Sequence, residues 1–319
     1  MTDPHTMTLV QERLAHNTWG LLGSQGYVLG LDVGGYGLRA ALVDLERHTF
    51  VSLHDDPPAA VTPDALVAAS VALGERLLAQ CGVPLAKLAR VGAGFGGPID
   101  GRSGEVIVAP RAAGWERYPL RARLEAAFDA PVLIENDAKL IAIAEATFGA
   151  GRGAHQLFYI HLSSGVGGGL VIDGRLYHGA TTTAGEIGHA PVGLHAGTFE
   201  DHLSVGGLLR RANALGLQTD RLSDVFGDHD LARQVAAEAA DVLALALAQV
   251  AALLDPQLIV VGGAVARSAG QPFLAEVRTR LQQLTSGMLP RNIPIAAAVL
   301  GPDSIAIGGI AQALESMTG

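Results

Sequence analysis

The feature that most constrains this chain is a unit that occurs twice. Residues 27–32 form an apolar run that ends in Asp32-Val33-Gly34-Gly35 and is followed by the second run Leu38-Arg39-Ala40-Ala41-Leu42-Val43-Asp44. Residues 157–162 form another such run, which enters Ser163-Ser164-Gly165-Val166-Gly167-Gly168-Gly169 and returns through residues 170–172. Each reads as a strand, a tight glycine turn and an antiparallel return strand. The repetition predicts an internal duplication with one copy heading each of two lobes, and 319 residues suffice for two cores of ordinary size.

Between these units the periodicity alternates. Apolar residues at helical spacing predict helices over residues 8–23, 63–80, 120–128, 138–148, 204–215, 231–254, 273–284 and 304–314, with strands at 91–97, 131–134, 258–261 and 295–300. Asp255-Pro256 stops the long Ala/Leu helix, and the alternation of strand and helix implies an α/β architecture. The net charge of −9 argues against a broad nucleic-acid or anionic-membrane surface, so a small-molecule partner is expected. Residues 1–26 lack a secretory apolar core and are too short for a winged DNA-binding domain; the apolar run 242–254 is shorter than the roughly 18 residues of a span. The one cysteine, Cys81, cannot form an intrachain disulfide and reads as a small packed core residue. A cytoplasmic protein with no membrane contact is expected.

Three groups of residues carry chemistry. Asn136-Asp137 follow an apolar run and precede a helix, which puts a carboxylate at a strand's carboxyl end, where open α/β sheets bind ligands. The same position suits a helix N-cap. The two glycine turns leave backbone N–H groups bare enough to cradle phosphate oxygens, and Gly96-Gly97-Pro98 allows a substrate close to the backbone. Ala184-Gly185-Glu186-Ile187-Gly188-His189 places a carboxylate and an imidazole three residues apart among small and apolar neighbours, a partly enclosed place where both can bond hydroxyls.

Taken in order, these motifs resemble the ROK family (repressor, open reading frame, kinase), the glucokinase-type sugar kinases and sugar-responsive regulators of the actin and hexokinase superfamily. Asp32-Val33-Gly34-Gly35 resembles the first phosphate motif, Gly96-Gly97-Pro98 the sugar loop, Ala113-Gly114-Trp115 the segment before the lobe crossing, and Asn136-Asp137 the catalytic pair. Ser164-Gly165-Val166-Gly167 resembles the second phosphate motif, the 184–189 segment the family signature, and Gly262-Gly263 the adenosine motif.

The resemblance implies a two-lobed actin-like ATPase (ribonuclease H-like) fold with a central cleft, each lobe a mixed sheet flanked by helices. The expected divisions are an extension over 1–26, a small lobe over 27–133 with the C-terminal helix 304–319, and a large lobe over 134–303. It also implies ATP-dependent phosphorylation of a hexose or amino-hexose, with Asp137 as general base. Gly97, Asn136, Glu186, His189 and Glu200 are implied to bind the sugar; Asp32, Gly34, Gly35, Ser164, Gly165, Gly167, Gly262 and Gly263 the nucleotide, with Mg²⁺ near Asp32; and the molecule is implied to be a homodimer.

Three departures stand beside the match. Tyr36-Gly37 replaces the usual Thr-Lys after the first phosphate motif, and Arg111-Ala112 lacks the usual asparagine. Aligning Glu200 with the glutamate of the family's zinc motif puts Pro191, Gly193 and Thr198 on the cysteine positions, while His195 and His202 miss the ligand positions, so no structural zinc is expected. The alternatives are a sugar-binding sensor or regulator without its DNA-binding domain and, further off, an assembly protein of the actin superfamily.

Overall fold

The computed structural model describes residues 3–16, 26–34, 37–58, 62–107, 113–193, 196–287 and 292–317. Gly35, Tyr36, Arg111, Ala112 and His195 lie outside the described residues. Contacts gather the chain into two compact units: Met1–Arg152 with His178–Thr183 and Val299–Gly319, and Gly153–Tyr177 with Ala184–Ala298.

In the first unit, α1 (Pro4–Ala15) leads into β1 (Tyr27–Gly34), β2 (Gly37–Asp44), β3 (Thr49–Asp55), α2 (Pro63–Gln80), β4 (Leu88–Phe95), α3 (Leu120–Phe128), β5 (Val132–Asn136) and α4 (Asp137–Thr147). The sheet order is β3-β2-β1-β4-β5. β1 pairs antiparallel with β2 and parallel with β4, and β4 pairs parallel with β5. Leu29, Leu31 and Val33 alternate towards a core shared with Leu73 and Leu77 of α2 and Leu124 and Phe128 of α3. The opposite face carries the C-terminal helix Ser304–Ser316, which also packs on α4. That helix lies so close that a Cβ at Gly30 or Gly92 would collide with the carbonyls of Ala306 and Gly309.

Residues 134–152, placed with the large lobe in the sequence reading, pack here in the first unit. One cause is Glu145, fully buried, whose carboxylate accepts the N–H groups of Ala150 (2.8 Å), Val299 (2.9 Å) and Leu300 (3.0 Å). The first helix starts earlier than residues 8–23 suggest, because Asp3 caps it by accepting the Thr6 N–H ahead of Pro4, and it ends at Ala15. Val10 and Leu14 are buried. Cys81 is exposed rather than packed in the core, since α2 stops at Gln80 and the chain turns through Gly82 at φ 66°.

The second unit runs β6 (Gln156–Leu162), β7 (Val166–Ile172), β8 (Arg175–Tyr177), α5 (Phe199–Leu203), α6 (Val205–Ala214), α7 (Leu222–Val225), α8 (Asp230–Leu254), β9 (Leu258–Gly262), α9 (Gly263–Thr285) and β10 (Ile295–Ala297). Its order, β8-β7-β6-β9-β10, matches the first sheet strand for strand, with the same antiparallel and parallel pairings. The duplication read from the two hairpins is therefore present in the topology of both sheets. Helix α8 is long and apolar enough to cross a membrane by length and composition alone, yet Val235, Leu243, Leu247 and Val250 are buried in this unit's core with Ile259, Val261 and Val277.

Two expectations are corrected here. Only residues 163–165 form the second turn: Gly167, Gly168 and Gly169 already pair with His161, Ile160 and Tyr159 as part of β7. The helix expected over 273–284 is present, but it does not stand alone: a helical segment that the sequence reading lacked opens at Gly263, directly after β9, and Gly270 (φ 67°), non-helical, separates the two ahead of Pro272.

Candidate functional site

The residues singled out by sequence fall into two sets, one in each unit. Asp32, Gly34, Gly97, Asn136 and Asp137 belong to the first; Ser164, Gly165, Gly167, Glu186, His189, Glu200, Gly262 and Gly263 belong to the second.

In the first unit the register of three parallel strands brings the set together. Asp32 on β1 is level with Gly94 on β4, and Phe95 is level with Asn136 on β5, so the polar groups emerge at the strands' carboxyl ends. Asn136 is the N-cap of α4: its Oδ1 accepts the N–H groups of Ala138 (3.0 Å) and Lys139 (3.4 Å). Its Nδ2 donates to the Gly97 carbonyl at 3.4 Å. The capping role and a tie to the Gly97 loop thus coexist in one side chain. Asp137 follows at the first helical position, where a carboxylate is favoured by the helix dipole. A Cβ at Gly96 would stand 3.4 Å from its Oδ2.

Burial pushes the Asp32 carboxyl up to about 8, with the negative charges of Asp137 and Asp303 adding to the rise and the Arg39 guanidinium opposing it. Arg39 is the cross-strand partner of Asp32 and pairs with Asp303 at 3.3 Å, while the Ser52 hydroxyl donates to Asp303 at 2.7 Å. Sequence reading missed Arg39, Ser52 and Asp303. The period-two burial of Phe50 and Ser52 marks β3, but nothing local in Asp303 announces a partner 264 residues away.

Beneath the Asn136-Asp137 turn lies a second group that sequence reading passed over. Glu135, buried, accepts the Asn136 N–H (2.8 Å), meets His178 Nδ1 at 2.9 Å and pairs with the buried Lys139 ammonium at 3.7 Å. Burial pushes its carboxyl up, but the His178 contact, the Lys139 charge and the Asn136 N–H together hold it below the ordinary glutamate value. Lys139 Nζ also donates to the Thr182 carbonyl, and the Thr182 hydroxyl donates to Ile99 O at 3.1 Å. These bonds tie the loop after β4, the 178–183 segment and the start of α4 into one frame.

In the second unit, the 163–165 turn is closed by the Ser163 N–H donating to Gly165 O at 2.9 Å. The Val166 N–H that follows donates to Glu200 Oε2 at 2.9 Å. The signature segment lies directly over β7: a Cβ at Gly185 or Gly188 would strike the carbonyls of Gly168 and Val166. Its glycines are needed for that approach, which brings Glu186 and Glu200 to the same strand as the turn. Glu186 is partly enclosed, but His189 is not: its side chain is 72% exposed and 3.9 Å from the Glu186 carboxylate. The 3₁₀ turn Ile187–His189 carries the imidazole outward, against the expected enclosure. Gly263 (φ 95°) lies against the backbone of Leu162, which sets the Gly262-Gly263 pair beside the start of the turn.

Where the resemblance aligns a zinc thiolate, Thr198 instead caps α5 in a reciprocal capping box with Asp201. Backbone pairing of Pro191 with Thr198, and of Val192 N–H with Gly197 O at 2.9 Å, closes that loop. Among the described residues no group of three or more His, Cys, Asp or Glu is placed to hold a metal. Mg²⁺, which keeps several waters and takes one or two carboxylates with substrate phosphates, does not require one. A desolvated carboxyl whose ionisation is resisted by neighbouring acids, as at Asp32, fits such a cation.

Comparison with known proteins agrees with this layout. The model of the ROK family matches residues 28–316. A glucokinase of Halalkalibacterium halodurans is 31% identical over 318 residues, covering 90% of this chain and 94% of the relative. The crystal structure of the ROK hexokinase from Thermus thermophilus superposes with a TM-score of 0.80 at 28% identity, covering 92% of this chain and 100% of that one. A ROK glucokinase from Streptomyces griseus, crystallised with glucose and AMPPNP, gives 0.72 at 28% identity over 89% of this chain and 98% of its own. Two mixed sheets of matching order, helices on their faces and a family match along almost the whole chain lead to one statement: this chain belongs to the ROK family, with the actin-like ATPase fold of its sugar kinases.

Proposed function

We propose that the protein phosphorylates a hexose or amino-hexose with ATP. The observation that carries this is that Asp32 and Asp137 stand at the carboxyl ends of β1 and β5, on either side of β4, with Gly96, Gly97 and Asn136 around Asp137. Asp137 accepts the proton of a sugar hydroxyl as that oxygen attacks the γ-phosphorus, and the bond to the β-γ bridging oxygen breaks. Asn136, held by its capping bonds and by Gly97, orients the hydroxyl. Glu186, Glu200 and His189 bond the remaining hydroxyls, carboxylates accepting and imidazole donating or accepting. The backbone donors of the turns around Gly34 and Ser164 to Gly167, with the Gly262-Gly263 corner, hold the nucleotide. Mg²⁺, held near Asp32, neutralises phosphate charge when bound. A cytoplasmic homodimer belongs to the same reading.

Support for ATP and glucose as ligands comes from the Streptomyces griseus relative crystallised with glucose and AMPPNP. One observation favours a second reading, a sugar sensor without phosphoryl transfer: Tyr36-Gly37 stands where the family usually has Thr-Lys. ADP release measured with glucose, mannose, fructose, N-acetylglucosamine and N-acetylmannosamine separates the two. Turnover with any of them supports the kinase; a sugar that raises the melting temperature with no ADP release supports the sensor.

A further inference from the structure

The duplication provides a way to find what the second unit places where the first places Asp32. In each sheet the central strand has a last rung that is paired on both sides. In the first it is Arg39–Asp32–Gly94, and in the second it is Gly167–His161–Gly262. His161 is thus the positional counterpart of Asp32, half-buried at a strand's carboxyl end. Neither cross-strand neighbour has a side chain, so the imidazole stands between two bare stretches of backbone, both of which the kinase reading gives to the nucleotide.

Its nearest polar neighbour lies below it. Tyr159, two residues earlier on the same face and 1% exposed, places its hydroxyl 2.7 Å from His161 Nδ1. Gly262 makes room for that hydroxyl, since a Cβ there would collide with it. Burial, reinforced by the Arg267 charge, pushes the imidazole down to about 4, so the ring is neutral at physiological pH. With Nδ1 accepting from the Tyr159 hydroxyl, a neutral ring carries its one hydrogen on Nε2, whereas the opposite tautomer has Nδ1 donate to that oxygen and leaves Nε2 an acceptor. That nitrogen has no partner among the described residues and is not buried. An uncharged N–H donor held in one tautomer, with the exposed Arg267 near enough to act on it, suits an anionic oxygen.

We infer that His161 is a nucleotide-binding residue, donating from Nε2 to a phosphate oxygen of the nucleoside triphosphate, with Tyr159 as the positioning residue that sets its tautomer. The inference rests on the kinase reading and assigns a contact that the glycine motifs do not include.

Calorimetric titration of the full chain with Mg-AMPPNP, and separately with the hexose that supports turnover, tests it. His161→Phe keeps a ring and removes the donor; nucleotide affinity is expected to fall about tenfold while hexose affinity stays within about twofold, the loss of one hydrogen bond to a charged group. Tyr159→Phe is expected to weaken nucleotide binding by a few-fold in the same direction. Nitrogen NMR of the unsubstituted protein needs no variant to fold: it should show His161 hydrogenated at Nε2, with that resonance moving on addition of Mg-AMPPNP. Unchanged nucleotide affinity in His161→Phe, or an Nε2 that does not respond, overturns the inference while leaving the kinase reading intact. Absence of nucleotide binding by the unsubstituted protein overturns both.

Discussion

Two residues before the last doubly paired rung of the central strand, the first unit has Gly30 level with Gly92, and the backbone of the C-terminal helix rests on them; the second unit has Tyr159 level with Val260 at the same place. Two residues further on, the first has Asp32 and the second His161. The two sheets keep one strand order, so what separates them is which side chains the shared rungs carry. Glycine lets a helix approach, and the acid two residues on is half-buried and repelled by the charges of Asp137 and Asp303, a place that resists its own negative charge. Tyrosine fills the corresponding space and places its hydroxyl 2.7 Å from the imidazole of His161. At matched places the duplicated scaffold thus carries an acid in one half and an imidazole in the other.

Substitutions at matched or neighbouring places should break the two halves differently. Among stability effects, the largest is expected for Gly92→Ala: its Cβ meets the Gly309 backbone, which cannot turn aside, and a loss of about 3 kcal/mol is expected in denaturant unfolding. A loss below about 0.5 kcal/mol would mean that the helix is free to move off the sheet. Next comes Glu145→Gln. Three N–H groups converge on this buried carboxylate, and an amide turns one acceptor into a donor facing them, so about 2 kcal/mol should be lost.

Asp32→Asn should act in the opposite direction. The folded carboxyl titrates near 8 and the unfolded one near 3.8, so between these values the unfolded chain has released a proton that the folded protein retains. Stability of the ligand-free protein therefore falls as pH rises through that window. Asparagine removes the dependence: about 1 kcal/mol or more should be gained above pH 8 and nothing below pH 4, read as a melting-temperature difference that grows with pH. A difference that is flat with pH would show that Asp32 ionises normally. The smallest effect is expected in the second unit, where Glu200→Gln exchanges a charged acceptor for a neutral one; KM for the hexose should rise about fivefold with kcat little changed.

Much of this division was legible in the sequence, because it rests on local pattern. The two hairpins, α3 over 120–128 and the Asn136-Asp137 turn follow from periodicity, turn residues and capping. What was hidden depends on partners distant in the chain. The glycines of 167–169 read as a turn, yet they belong to β7 because the signature segment must pass close above it. Cys81 continues the apolar spacing of α2, but the helix ends just before it. Lys139 looks like an ordinary surface residue of a helix until Glu135 and Thr182 enclose it. His161 looks like a polar interruption in an apolar strand, and only the register of both neighbouring strands reveals its counterpart.

The most direct test of this account is the turnover of Asp137→Asn set beside its hexose affinity. If Asp137 takes the hydroxyl proton while other groups supply much of the sugar binding, kcat for ADP release should fall about a thousandfold and the hexose dissociation constant should change by only a few-fold. A variant that keeps a tenth or more of the original kcat would contradict it.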